Sequence, residues 1–223
     1  MAGPLPGAAT AAISLTFDGA LVEHVEMVAP ILDEAGIRGT FFVTVPAMLE
    51  RPAAWRTVAQ SGHEVGSHPH FGVSVDGQLD WTKEAVRIDL LETNRGIASI
   101  TGFLPTSFAK SGSSTRCVDG DYDADLRVYA AVRSSEVGSN DLVVASPTDV
   151  KCLPWDRISG ALKFLPVPGG WTVPVFTRFF DPHWDQAEND LRALVEVLVQ
   201  REDIWVAPFG EVAAALPRPH DSR

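Results

Sequence analysis

Two rhythms of apolar and polar positions alternate along this chain. Short runs are apolar at every or every second residue, and longer stretches return an apolar residue every three or four positions. The first short run, Ile13-Ser14-Leu15-Thr16-Phe17-Asp18, predicts a strand that ends on a carboxylate, and Gly19-Ala20 turns it into a helix. Leu21, Val25, Val28, Ile31, Leu32 and Ala35 keep helical spacing until Gly36 stops the run. Thr40 to Val45 then predicts a buried strand closed by Pro46. Strand, helix and strand make a βαβ unit, which is right-handed and parallel as a rule.

The alternation continues. A short helix over Ala53–Gln60 leads through Gly62 into a strand that dissolves in the loop His68-Pro69-His70-Phe71-Gly72, and Lys83–Thr101 is a long amphipathic helix with Gly102 and Pro105 at its exit. Thr106–Ala109 reads as a short strand running into the small-residue loop Lys110–Ser114. Between Cys117 and Trp171 the pattern weakens, with short elements expected at Val128–Val132 and Leu142–Ala145. Asp119, Asp121, Asp123 and Asp125 have neither the glycine position nor the closing glutamate of a calcium loop, so a helix N-terminus is expected there. Thr172–Thr177 predicts an inner strand, Asp185–Gln200 a strong amphipathic helix, Ile204–Ala207 a strand and Phe209–Leu216 a closing helix. The whole is an α/β fold, open sheet or closed barrel, in one domain over residues 13–216, with an extension at 1–12 and a polar tail at 217–223. In such folds the chemistry sits at the carboxyl ends of the strands, where Asp18 falls.

Composition narrows the function. Of 223 residues, 45% are hydrophobic and 21% charged, an ordinary globular balance. A formal net charge of −11 argues against a nucleic-acid partner, which needs clustered Lys and Arg. Neither a signal-peptide pattern nor an apolar run long enough to span a membrane is visible, so a cytoplasmic location without membrane association is expected. Cys117 and Cys152 are expected to be reduced and structural.

The blocks Thr16-Phe17-Asp18, Gly39-Thr40-Phe41-Phe42-Val43 and Gly62-His63-Glu64-Val65-Gly66-Ser67-His68, in this order and spacing, closely resemble the polysaccharide deacetylase family, the NodB-homology or carbohydrate esterase family 4 domain. Asp203 to Val212 is similar to the closing segment of many members. The resemblance implies a distorted (β/α) barrel with a metal-dependent site at one mouth. It implies hydrolysis of a carbon–nitrogen bond other than a peptide bond, most simply deacetylation of an N-acetylated sugar or related amide. In the family a divalent ion such as zinc, held by one Asp and two His, polarises the carbonyl, an aspartate is the base and a late histidine is the acid.

Mapped residue by residue, the resemblance makes Asp18 the base, with a helix cap as the alternative role. Gly19 stands where a second aspartate would ligate metal. His68 matches the first metal histidine, or else is a hydrogen-bonded loop residue. Gly72 takes the second histidine's place, with His70 two residues early. The family's arginine-bearing block reads Phe108-Ala109-Lys110 here, so Lys110 is the expected cation. The acid histidine's position falls near Thr177, leaving His183 as a replacement acid or part of a sugar-stacking loop. His24 reads as a solvent-facing helix residue and His63 as lying at the far end from the site. Three functions follow: a deacetylase with a rearranged metal site, a small-amide or imide hydrolase with little or no metal dependence, and an inactive domain that binds carbohydrate or a partner.

Overall fold

A computed structural model describes residues 5–70, 80–112, 114–143, 146–155, 161–176 and 184–216. The strands are β1 (Ala11–Ile13), β2 (Thr16–Asp18), β3 (Thr40–Val43), β4 (Glu64–Ser67), β5 (Ser107–Ala109), β6 (Arg116–Cys117), β7 (Gly120–Asp121), β8 (Ala131–Val137), β9 (Asn140–Asp141), β10 (Val150–Pro154), β11 (Gly170–Thr172), β12 (Pro174–Phe176) and β13 (Ile204–Val206). The helices are α1 (Ala29–Glu34), entered through a π-helical turn at His24–Val28, α2 (Val45–Met48), α3 (Pro52–Gln60), α4 (Lys83–Thr101), α5 (Trp184–Val199) and α6 (Phe209–Ala215).

Seven strands close into a parallel barrel in the order β10-β12-β2-β3-β4-β5-β8, with β8 pairing back onto β10. All the strands run the same way, so their carboxyl ends gather at one mouth. Asp18 ends β2, His68 follows β4 and Lys110 follows β5, so one loop layer collects the polar groups that the sequence scatters. A second sheet, β13-β1-β11-β9, lies beside the barrel. The chain passes from one sheet to the other within a few residues between β1 and β2 and again between β11 and β12. The single run predicted from Ile13 to Asp18 is therefore two strands, as is the run after Gly170.

Residues 11 and 12 belong to this second sheet, so the first strand begins earlier than the hydropathy pattern indicates. Alanines carry little strand signal, but β1 is hydrogen-bonded to β11 on one side and to β13 on the other. The correction at the other weak spot is larger. β8 runs over Ala131–Val137 rather than ending at Val132, because its second half, Arg133-Ser134-Ser135-Glu136, is too polar to read as a strand.

Apolar side chains on the barrel strands build three cores, one of them setting Phe108 and Val132 against Tyr122, Leu126 and Tyr129. Phe17 and Phe41 stack on each other at 5.1 Å, and Phe17 stacks on Phe176 at 5.0 Å, in the layer that α1, α3 and α5 cover. Phe42, with Phe209 of α6 and Trp171 of β11, belongs to another core. His24 joins the Phe17 layer. It is fully buried, with its ring 5.8 Å from those of both Phe17 and Phe41, and not solvent-facing as its helical position suggests. At the opposite end of the barrel from the mouth, Glu64 Oε2 accepts hydrogen bonds from Thr40 Oγ1 and the Gly210 N–H, and Thr40 Oγ1 accepts from the Phe209 N–H at 2.7 Å. His63 is at this end too, as expected. Its Nδ1 accepts from the Gly39 N–H, and its Nε2 faces Asp33 at 3.4 Å.

The Asp-rich run forms a short 3-10 helix, Asp123–Val128, with Asp123 and Asp125 in its first turn. Both cysteines are free and buried. No helix among the described residues is long and apolar enough to cross a membrane.

Candidate active site

Three inward-facing positions, two on β2 and one on β8 across the barrel from it, meet below the mouth. Thr16 and Asp18 on β2 point the same way because side chains two apart share a face. Arg133 on β8 reaches across to both. Its Nη1 donates to Asp18 Oδ1 and to Thr16 Oγ1, each at 2.9 Å, and its Nη2 donates to Asp18 Oδ2. The Thr16 hydroxyl donates onward to the Pro174 carbonyl at 2.7 Å. The guanidinium carbon sits 4.9 Å above the centre of the Phe42 ring, a cation–π contact that fixes the plane of the fork. The side chains of Arg133 and Asp18 are only 3% and 10% exposed, so this is a desolvated two-pronged ion pair. Burial pushes the Asp18 carboxyl up. The charge of Arg133, then His68, the hydrogen bonds from Arg133, and His24 together outweigh it and hold the group below its ordinary 3.8.

His68 enters one step beyond β4. Its backbone N–H donates to the Val43 carbonyl, and its Nδ1 lies 3.0 Å from the Ala109 carbonyl oxygen. A carbonyl only accepts, so Nδ1 carries the ring proton and Nε2 keeps its lone pair. Burial depresses the His68 pKa, against the opposing pull of Asp18, so the ring is neutral near pH 7. Lys110 follows β5, and its backbone N–H donates to the Arg133 carbonyl. Its ammonium reaches Asp123 Oδ1 at 3.3 Å. These groups line one cavity of about 330 Å³ with Gly19, Ser111, Ser135, Cys152, Pro154 and Val175. Burial raises the Cys152 pKa, Arg133 opposing, so it is a thiol there.

The structure thus brings Asp18, His68 and Lys110 together. It leaves His70 exposed, with its backbone N–H on Asp89 Oδ2 at 3.3 Å and no part in lining the cavity. His183, Gly72 and Thr177 lie outside the described residues. The residue that the sequence reading missed is Arg133. The cation on Asp18 comes from β8, one strand over from Lys110, and in the ladder Arg133 pairs with Ala109. The available signal was a lone arginine following the small apolar run Ala130-Ala131-Val132.

A family model of the polysaccharide deacetylases matches residues 7–130, more than half of the chain. The chain belongs to the polysaccharide deacetylase family. No curated protein matches it. Among solved structures, a Mycobacterium smegmatis protein assigned as a polysaccharide deacetylase superposes with a TM-score of 0.68 at 18% identity, covering 98% of this chain and 97% of that one. The PuuE allantoinase superposes at 0.67 and 14%, covering 98% and 94%. A mutant of BA3943, a pseudoenzyme of carbohydrate esterase family 4 with restored activity, superposes at 0.59 and 16%, covering 90% and 66%. At these identities the superpositions establish the NodB-type barrel of this deacetylase-family chain. The family assignment makes it a hydrolase of carbon–nitrogen bonds.

The family typically works with a divalent metal ion. Among the described residues, no three His, Cys, Asp or Glu side chains are placed to hold one. Gly19 offers no ligand, both Asp18 oxygens are taken by the guanidinium, and His68 is the one imidazole among the described residues lining the cavity. This donor set does not fit the ion, because a catalytic zinc needs three protein ligands.

Proposed function

We propose that this protein hydrolyses the carbon–nitrogen bond of a small amide, an N-acetylated amino sugar or a related compound, at the barrel mouth with His68 and the Asp18–Arg133 pair. One observation carries the reading: a neutral imidazole of fixed tautomer opens onto the same cavity as a buried carboxylate locked by a two-pronged arginine. Such a pair is an expensive way to fill a barrel, since apolar residues of similar size serve stability as well or better.

His68 Nε2 takes the proton of a water as its oxygen attacks the amide carbonyl. Asp18 is too weak a base for that step, its pKa being held low, but its fixed charge favours the imidazolium that forms. The imidazolium then returns its proton to the leaving nitrogen as the carbon–nitrogen bond breaks. Acetate or ammonia release from N-acetylglucosamine oligomers and small amides tests this. His68→Gln and Asp18→Asn should each lower the rate by about 100-fold or more, and dialysis against a chelator should leave it unchanged.

Gly19 and the fully engaged Asp18 oxygens favour a second reading, a binding domain without catalysis. Ligand binding with no turnover, unchanged by Asp18→Asn, would make that the better account.

A further inference from the structure

We infer that the mouth recognises an anion, and that the substrate is a small amide carrying a carboxylate, which Lys110 holds. The inference rests on the hydrolase reading of the same cavity and names its substrate class. Among the described residues that line the cavity, Lys110 and Arg133 are cations and Asp18 is the sole carboxylate. Asp18 neutralises Arg133 outright, so the net positive charge resides on Lys110. This runs against the rest of the chain, whose formal charge is −11.

Lys110 is built for that task. Its side chain is 12% exposed, which removes most of the water that would otherwise solvate the ammonium. Its backbone is fixed by the hydrogen bond to the Arg133 carbonyl at 2.9 Å. Its partner Asp123, 3.3 Å away, is itself 62% exposed, so its carboxylate is rehydrated when it lets go. A substrate carboxylate can displace it at little cost. Ser111 and Ser135 line the same cavity. A cavity of about 330 Å³ suits one small molecule. The Arg133 Nη groups cannot do this work, being committed to Asp18 and Thr16.

Succinamate and succinamide have nearly the same shape and differ by one charge. Calorimetric titration of the full chain should find succinamate bound about tenfold or more tighter. Lys110→Met should bring the two within about twofold, Lys110→Arg should keep the preference, and Asp123→Asn, which removes the competing carboxylate, should widen it. Equal affinities in the wild type, or a preference that survives Lys110→Met, would overturn the inference. Should Lys110→Met fail to fold, a preference unchanged or reduced in Asp123→Asn overturns it as well. Ammonia release measured on the same samples separates the two claims. A Lys110-dependent preference without turnover sinks the hydrolase reading alone. Turnover of neutral amides with no charge preference sinks this inference alone.

Discussion

Arg133 and Asp18 face each other across the barrel from β8 and β2, 115 residues apart in sequence, and share two parallel hydrogen bonds. Removing one partner strands the other as a buried charge, which costs about 3–5 kcal/mol. Arg133→Met and Asp18→Asn should each destabilise by that order in urea unfolding. The double variant should be well short of their sum, since it leaves no charge behind. Additive losses would mean that the two side chains do not act as a pair. Arg133→Lys keeps the charge but not the fork, and should fall between wild type and Arg133→Met.

His24 adds to an acid sensitivity that His63 and His68, whose pKa values burial also lowers, share. The pKa of His24 is lowered from 6.5 to about 3 by burial, against an upward pull from Asp18. The folded state therefore favours the neutral ring, and the unfolded chain binds the proton first. That stability is fully present above pH 6.5 and drains away as pH falls toward 3, a span on the order of 4–5 kcal/mol. His24→Leu should flatten the decline of unfolding free energy between pH 6.5 and about 4. The loss from protonating Asp18, whose folded pKa lies under 3.8, should remain below that pH. An unchanged slope in the variant would refute the assignment.

Gly66 is required by space. A Cβ there would come within 2.6 Å of the Phe42 ring and 2.7 Å of Ser107 Oγ. Phe42 in turn lies under the Arg133 guanidinium. Gly66→Ala should cost about 1–3 kcal/mol in thermal or urea unfolding, and hydrolysis should fall with it because the ring that seats Arg133 must move. Wild-type stability in the variant would show that the strand gives way freely.

Gly19 departs from the family pattern at a position with φ +102°, a backbone that side-chain-bearing residues rarely adopt. Gly19→Asp should destabilise by about 1–2 kcal/mol. It should not create tight zinc binding, since the introduced carboxylate and His68 together supply two ligands rather than three. Stoichiometric zinc retained after dialysis would contradict this.

How far the sequence reached differs from element to element. α4 occupies Lys83–Thr101 as its periodicity predicts, with Gly102 in the left-handed conformation at its end. Arg133 was invisible as a site residue because strand pattern reading looks for apolar alternation, and β8 turns polar where it enters the mouth. Spacing could not tell the histidines apart. His24 sits at the π-helical turn and is fully buried, and His68 sits at a strand end and is half-buried. Neighbours far away in sequence enclose both.

By itself the sequence determined the α/β alternation, the family, and Asp18 at the end of an inner strand, because local periodicity and short motifs encode these. Only the tertiary structure decided which cation meets Asp18, which tautomer His68 adopts, and that Lys110 lines the same cavity. Each of these depends on barrel closure, which sets strands from distant parts of the chain side by side.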